Sequence, residues 1–97
     1  MGEIRFSWDS RKDAANLRKH GVSFDEARSV FLDENAKLID DPDHSADEAR
    51  FILLGLSHKL RMLVGSHAYR HDDEEIRIIS ARKANASERA QYAEGVS

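Results

Sequence analysis

Arginine and histidine carry most of the chemistry this sequence offers, and the arginines crowd its C-terminal half. Arg50, Lys59, Arg61 and Arg70 stand in residues 50–71 without a single acid, and Arg77, Arg82, Lys83 and Arg89 follow the acidic run Asp72–Glu75. An arginine fork meets phosphate oxygens in pairs and keeps its charge at any physiological pH. His67 stands among them, and an imidazole with an unperturbed pKa of about 6.5 is suited to proton transfer near neutrality. Phosphodiester cleavage without a metal needs a base for the attacking hydroxyl, cations for the crowded phosphorane and an acid for the leaving oxygen. Alternation along a strand puts Arg61, Leu63, Gly65, His67 and Tyr69 on one face, if no bulge intervenes. Met62, Val64, Ser66, Ala68 and Arg70 fall on the other. In the next strand Ile76, Ile78, Ser80 and Arg82 share a face opposite Arg77, Ile79, Ala81 and Lys83. Isoleucines on both sides leave its core face undecided. His67, Arg61 and Arg82 form the expected catalytic constellation, with Arg77, Arg70 and Tyr92 behind them.

Each of these residues has a structural alternative. His67 suits a hydrogen-bonding strand position, and Arg61, opening a strand after a turn, suits a solvated charge. Arg82 is spaced to pair with Glu88 on the following helix, tying down the strand end. The Tyr92 ring packs under that helix whatever its hydroxyl does. His20, in Lys19-His20-Gly21, is placed for a favourable charge at a helix C-terminus. Glu48 and Arg50 flank a loop-to-strand junction and suit a local salt bridge, with Glu48 a remote candidate for general base. His44 with Asp41 and Asp43, and His71 with Asp72 and Asp73, cluster without the helical pairing or Cys/His spacing of a zinc site. No metal or cofactor is expected. There is no glycine-rich phosphate loop and no serine in a Gly-x-Ser-x-Gly context.

The elements that position these residues follow from periodicity and punctuation. The chain has 97 residues, 40% hydrophobic and 34% charged, with a net charge of -3, which suits one α+β domain spanning 1–97. No apolar run approaches the roughly 20 residues that span a bilayer. Met1-Gly2-Glu3-Ile4-Arg5 lacks the apolar stretch of a signal peptide, so the expected residence is cytoplasmic. The absence of cysteine excludes disulfides and thiolate chemistry. An acidic total, with nine acids against two bases in residues 21–49, argues against a general nucleic-acid coat protein. The local basic zone remains compatible with a phosphate backbone.

Ile4, Phe6 and Trp8 alternate as one face of a short strand. Ser10 and Asp13 have capping-box spacing for a helix over 11–19, which Gly21 closes. Ser23 and Glu26 start a second helix whose face is Phe24, Ala27, Val30 and Phe31. A weak strand at 37–40 precedes a polar loop holding the one proline, Pro42. Residues 50–57 read as a strand buried on both faces. A tight turn at 57–60 leads into a strand over 61–70, softened at Gly65-Ser66-His67, which leaves open a bulge or a weakened strand core. Residues 75–83 pair with it, and Asn85 with Glu88 caps a last helix over 86–94. Consecutive strands with short links favour an antiparallel meander, helices on one face and the basic face open.

Several of these stretches together resemble the BrnT toxins. Phe6-Ser7-Trp8-Asp9, Asn16, Lys19-His20-Gly21-Val22-Ser23-Phe24 and Glu26-Ala27 are similar to that family's opening. Val30-Phe31, the Asp41–Asp43 loop, Glu48-x-Arg50-Phe51, Gly55-x-Ser57 and Arg61-x-Leu63-Val64 continue the likeness. The closing run Ile76-Arg77-Ile78-Ile79-Ser80-Ala81-Arg82-Lys83-Ala84 with Glu88-Arg89-x-x-Tyr92 is its most specific part, so the likeness spans residues 5–92. The resemblance implies a RelE-like fold, a twisted antiparallel sheet of about four to five strands with two N-terminal helices and a short C-terminal one. It also implies a growth-arresting ribonuclease neutralised by a BrnA-type antitoxin, with operator DNA bound through that antitoxin. RNA cleavage would then leave a 2′,3′-cyclic phosphate. A non-enzymatic module that pairs with the antitoxin is the alternative. Direct DNA binding is disfavoured, because no recognition-helix motif or basic helix is present.

Overall fold

A computed structural model of the chain describes residues 4–40, 50–70, 72 and 74–95. The readings that involve Asp41–Asp43, His44, Glu48, His71 and Asp73 lie outside these residues. The elements run β1 (Arg5–Ser7), α1 (Ser10–His20), α2 (Phe24–Ser29) with a 3-10 turn (Val30–Leu32), β2 (Lys37–Asp40), β3 (Phe51–Leu56), β4 (Met62–Arg70), β5 (Glu75–Lys83) and α3 (Ala86–Gly95). The sheet order is β1-β5-β4-β3-β2. Strands β2 to β5 form the expected antiparallel meander, and β1 adds a short parallel edge beside β5. Among the described residues no helix is long and apolar enough to cross a membrane.

Local chemistry explains the helix ends, with one change from expectation. Asp9, not Ser10, caps α1, accepting from the backbone N–H of Arg11 and Lys12 at 2.8 and 3.3 Å. Asp13 is thereby released from capping and accepts the Phe24 N–H at 2.9 Å, fixing the start of α2 against α1. Gly21 ends α1 in the left-handed region, at φ 70°. Ser23 caps α2 through the Glu26 N–H as its spacing predicts. Asn85 and Glu88 exchange side-chain-to-backbone bonds, each 2.9 Å, at the start of α3.

The helices α1 and α2 cover one sheet face. Val22, Phe24, Ala27 and Val30 pack there on Leu53, Leu63, Ile78 and Ala81, with Phe6, Trp8 and Phe31 at the margin. The expectation that all helices share one face is corrected by α3. Its Tyr92 packs with Ala84 on Leu54 and Val64, which alternate with the residues of the first core and so belong to the opposite face. Lys37 of β2 also donates to the Gln91 carbonyl of α3. Among the described residues α3 is therefore seated on the second face over Leu54 and Val64.

Of the possibilities left open at Gly65-Ser66-His67, the register shows a bulge, and the extra residue is on the partner strand. Ser66 pairs with Ser80 and His67 with Ile78, leaving Ile79 of β5 unmatched. The simple alternation expected for β5 is thereby broken. Ile76 and Ile78 face the first core while Ser80 and Arg82 turn to the second face.

Among the described glycines, Gly55 marks the tightest approach. A Cβ there would lie 2.9 Å from Ala36 Cβ, Asp33 Oδ2 and Val30 Cγ1. Gly55→Ala is expected to cost about 2 kcal/mol, the usual scale for overpacking a filled site. Denaturant melts of the two proteins measure it, and superimposable curves refute the close packing.

Candidate functional site

The second face carries a cleft of about 280 Å³ lined by Arg50, Ile52, Val64, Ser66, Ile79, Ser80, Ala81 and Arg82. Cross-strand register builds it. One row is Ile52, Ser66 and Ser80, and the next is Leu54, Val64 and Arg82. Arg50 stands two residues before Ile52 and so shares its face. Beyond it, Ala68 pairs with Arg77 and Arg70 with Glu75, so both arginines extend the same face away from the cleft.

The floor is aliphatic and the polar groups are two guanidiniums and two hydroxyls. Such a set holds an anion, and its planar forks suit phosphate. The Nε of Arg50 is buried with no hydrogen-bond partner among the described residues. A buried donor left in that state costs roughly 1–3 kcal/mol, which an arriving acceptor would recover. Arg82 is held end-on by Glu88, with Nη1 to Oε1 and Nη2 to Oε2 both at 2.8 Å. That contact lowers the Glu88 pKa and raises the pKa of Arg82, so both stay charged.

The six residues expected at the site are not brought together. Arg82, Arg77 and Arg70 share the second face, and Arg82 alone of the six lines the cleft. His67 points into the first core, 1% exposed, with edge-on contacts to Phe31 and Tyr69. Neither ring nitrogen makes a hydrogen bond of good geometry. Burial pushes its pKa down to about 4, against a small opposing effect of the Gly65 backbone. The ring is neutral at physiological pH, beside a void of only about 10 Å³.

Arg61 lies at the far end of β4, where it donates from Nε to Glu26 Oε2 at 2.9 Å and from Nη2 to Oε1 and to the Gly21 carbonyl. Ser57 donates to the same Oε2 at 2.7 Å. The arginine bonds lead in lowering the pKa of Glu26, and this carboxylate is 1% exposed. The assembly clamps the β3–β4 turn to α2. Tyr92 sits on the α3 side, but its hydroxyl donates to Asp33 Oδ2 at 2.8 Å. Burial and then that carboxylate raise its pKa.

Arg50, Ser66 and Ser80 were the residues that sequence reasoning missed as site members. β3 is apolar on both faces, so alternation gave Arg50 no side. Ser66 and Ser80 become neighbours only through the bulge, which moves Ser80 off the face of Ile78.

The family model for BrnT, the ribonuclease toxin of type II toxin–antitoxin systems, matches residues 8–88. The chain belongs to the BrnT toxin family. The match runs from Trp8 to Glu88 and so contains the whole lining of the cleft. A solved structure similar to this BrnT-family chain is the crystal structure of the Brucella abortus ribonuclease toxin BrnT. The two are 24% identical, with a TM-score of 0.62 over 88% of this chain and 99% of that one, and they share the fold. No curated protein sequence matches this BrnT-family chain.

Two stability predictions follow from the residues that lie away from the cleft. An unfolded histidine titrates near 6.5 while His67 in the fold titrates near 4. Protons therefore favour the unfolded chain, and stability conferred by a neutral His67 is complete above pH 6.5. It is lost as pH falls toward 4, by about 3 kcal/mol in all. Urea melts at pH 7 and pH 4.8 should show most of this loss in the wild type and little of it in His67→Leu; equal losses would refute it. Arg61→Ala should cost about 3–5 kcal/mol by stranding the buried Glu26 carboxylate. If Glu26→Gln in the Arg61→Ala background restores no stability in the same melts, the stranded charge is not the cause.

Proposed function

We propose that this chain is a metal-independent endoribonuclease, the toxin of a type II pair, and that its cleft on the second sheet face holds the scissile phosphate. The observation that carries this reading is the convergence of Arg50 and Arg82 with Ser66 and Ser80 around one cleft, in a member of a ribonuclease toxin family. The ribose 2′-oxygen attacks the neighbouring phosphorus and the P–O5′ bond breaks, giving a 2′,3′-cyclic phosphate and a 5′-hydroxyl. The two guanidiniums, Arg82 fixed by Glu88, stabilise the phosphorane, whose charge exceeds that of the ground-state diester. Arg77 and Arg70 extend the face along which the flanking phosphates lie. Among the described residues no imidazole or unpaired carboxylate lines the cleft, and in this reading water receives the 2′ proton and supplies one to the 5′-oxygen.

His67, Arg61 and Tyr92 take structural roles in this reading, as core ring, clamp and helix anchor. The chain acts in the cytoplasm, where a BrnA-type antitoxin neutralises it and the complex reaches operator DNA through the antitoxin. The want of a proton-carrying side chain at the cleft among the described residues favours one alternative, a non-enzymatic module that keeps only the antitoxin pairing.

Induction of the chain alone in a bacterial host separates the two readings. The enzyme arrests growth and cuts RNA in the presence of EDTA, leaving cyclic-phosphate ends. Arg82→Ala and Arg50→Ala should each lower cleavage on the order of 100-fold while melting like the wild type, the usual scale for removing one charge stabiliser. Full soluble expression without arrest would favour the binding module, and a folded, fully toxic Arg82→Ala would sink the assignment of the cleft.

A further inference from the structure

Arg82 projects from the last turn of sheet before α3, and a free arginine there would sample many rotamers. Glu88 removes that freedom. It grips the end of the guanidinium through Nη1 and Nη2. Nη1 also reaches the Lys83 carbonyl at 3.3 Å. A guanidinium presents five N–H donors in two usable forks, end-on and side-on. The carboxylate occupies the end-on fork. Among the described residues Nε takes no partner, so the side-on fork of Nε and Nη2 is left for a phosphate in the cleft that Arg82 lines. The Glu88 carboxylate is itself fixed by a backbone donor, since its Oε1 accepts the Asn85 main-chain N–H at 2.9 Å. That bond is independent of the Asn85 side chain, which separately caps the Glu88 N–H. The carboxylate is thus anchored by a helix start and not by a mobile loop.

We propose that Glu88 is a positioning residue for the reaction, holding Arg82 end-on so that its side-on fork meets the scissile phosphate. This rests on the reading of the cleft as the RNA site. The opposing effect is charge: a carboxylate so close weakens the attraction of Arg82 for phosphate. Positioning outweighs it if orientation limits the chemical step, because a displacement of about 1 Å at a reacting centre costs on the order of 100-fold in rate.

The test is steady-state cleavage of a single-stranded RNA oligomer by the purified chain and its variants Glu88→Ala, Glu88→Gln, Asn85→Ala, Arg82→Ala and the double variant Glu88→Ala/Arg82→Ala. Glu88→Ala should lower kcat on the order of 100-fold with a smaller change in KM. Glu88→Gln, which keeps one acceptor oxygen for Arg82, should recover most of the rate. Asn85→Ala weakens the same helix start but leaves the carboxylate on Arg82, so it should cleave near the wild-type rate. The double variant should be no slower than Arg82→Ala, since Glu88 acts only through that residue. Glu88→Ala at or above the wild-type rate overturns the proposal, as does an equal loss in Asn85→Ala. Arg82→Ala cleaving normally would instead overturn the cleft itself. If no variant cleaves, the Arg82 Nε–H resonance in ¹⁵N spectra still decides the matter. It should be sharp and slow to exchange in the wild type and broadened in Glu88→Ala; equal sharpness in both overturns the positioning role.

Discussion

One unmatched residue decides what the two sheet faces carry. Without Ile79 as an extra residue, Ile78 and Arg82 would stand on the same side of β5, as simple alternation requires. The core could not then take Ile78 without also burying a guanidinium, and an unpaired buried charge is prohibitive. The bulge between the Ser66–Ser80 and His67–Ile78 pairs separates the two requirements. Ile78 seals the core under α1 and α2, while Ser80 and Arg82 turn to the cleft four residues or fewer along the same strand. Ile79 itself lines that cleft. A register shift is how one strand supplies both the packing and the polar face.

A bulged strand next to a sheet edge needs its backbone satisfied by something else, and here α1 does it. The parallel partner β1 reaches only from Glu75 to Arg77 along β5, so among the described residues the upper half of β5 has no strand on that side. Asn16 takes the place of one. It is buried in α1, donates from Nδ2 to the Ala81 carbonyl and the Val22 carbonyl at 2.8 Å each, and accepts the Ala81 N–H at 3.2 Å. One amide thereby closes the edge beside the bulge and ties α1, the α1–α2 turn and β5 together. The Glu26–Arg61–Ser57 clamp plays the matching part at the far end of β4, where the β3–β4 turn meets α2. Both networks are fully bonded at their centres, and buried polar groups are tolerated on that condition.

Most of the architecture was legible because it depends on local rules. The periodicity of Phe24, Ala27 and Val30, the caps at Ser23 and Asn85, and Gly21 each act within a few residues, and the elements they imply are present. The sheet faces were legible for β4, where Leu63 and Val64 fall on opposite sides as alternation demands. They were not legible for β5, since the register shift is a property of the pair and not of either strand. The site was less legible still. His67 has the chemistry of a proton carrier, but chemistry says nothing of depth, and Phe31, Phe51 and Tyr69 enclose it. Arg61 was legible as a cation yet not as the partner of a carboxylate 35 residues away in the chain. The pairing of Arg82 with Glu88, by contrast, spans only six positions and follows from spacing alone.

A net charge of -3 fits poorly with gripping a polyanion only if every charge counts equally. Screening limits each charge to about 8–10 Å at ordinary ionic strength, so the immediate neighbours of the cleft set its potential. Several acids of the chain are spent on internal partners there and elsewhere. Glu26 answers Arg61, Asp25 answers Arg28, and Asp33 accepts from Leu56 and Tyr92. Among the described residues Glu88 is the one acid bonded to a cleft arginine, and it neutralises Arg82 in part. The cleft therefore carries the Arg50 guanidinium and a second one that is held in place by its counter-ion. Such an arrangement favours a phosphate that arrives in the right orientation over one that is merely nearby, trading general attraction along the chain for geometry at one point.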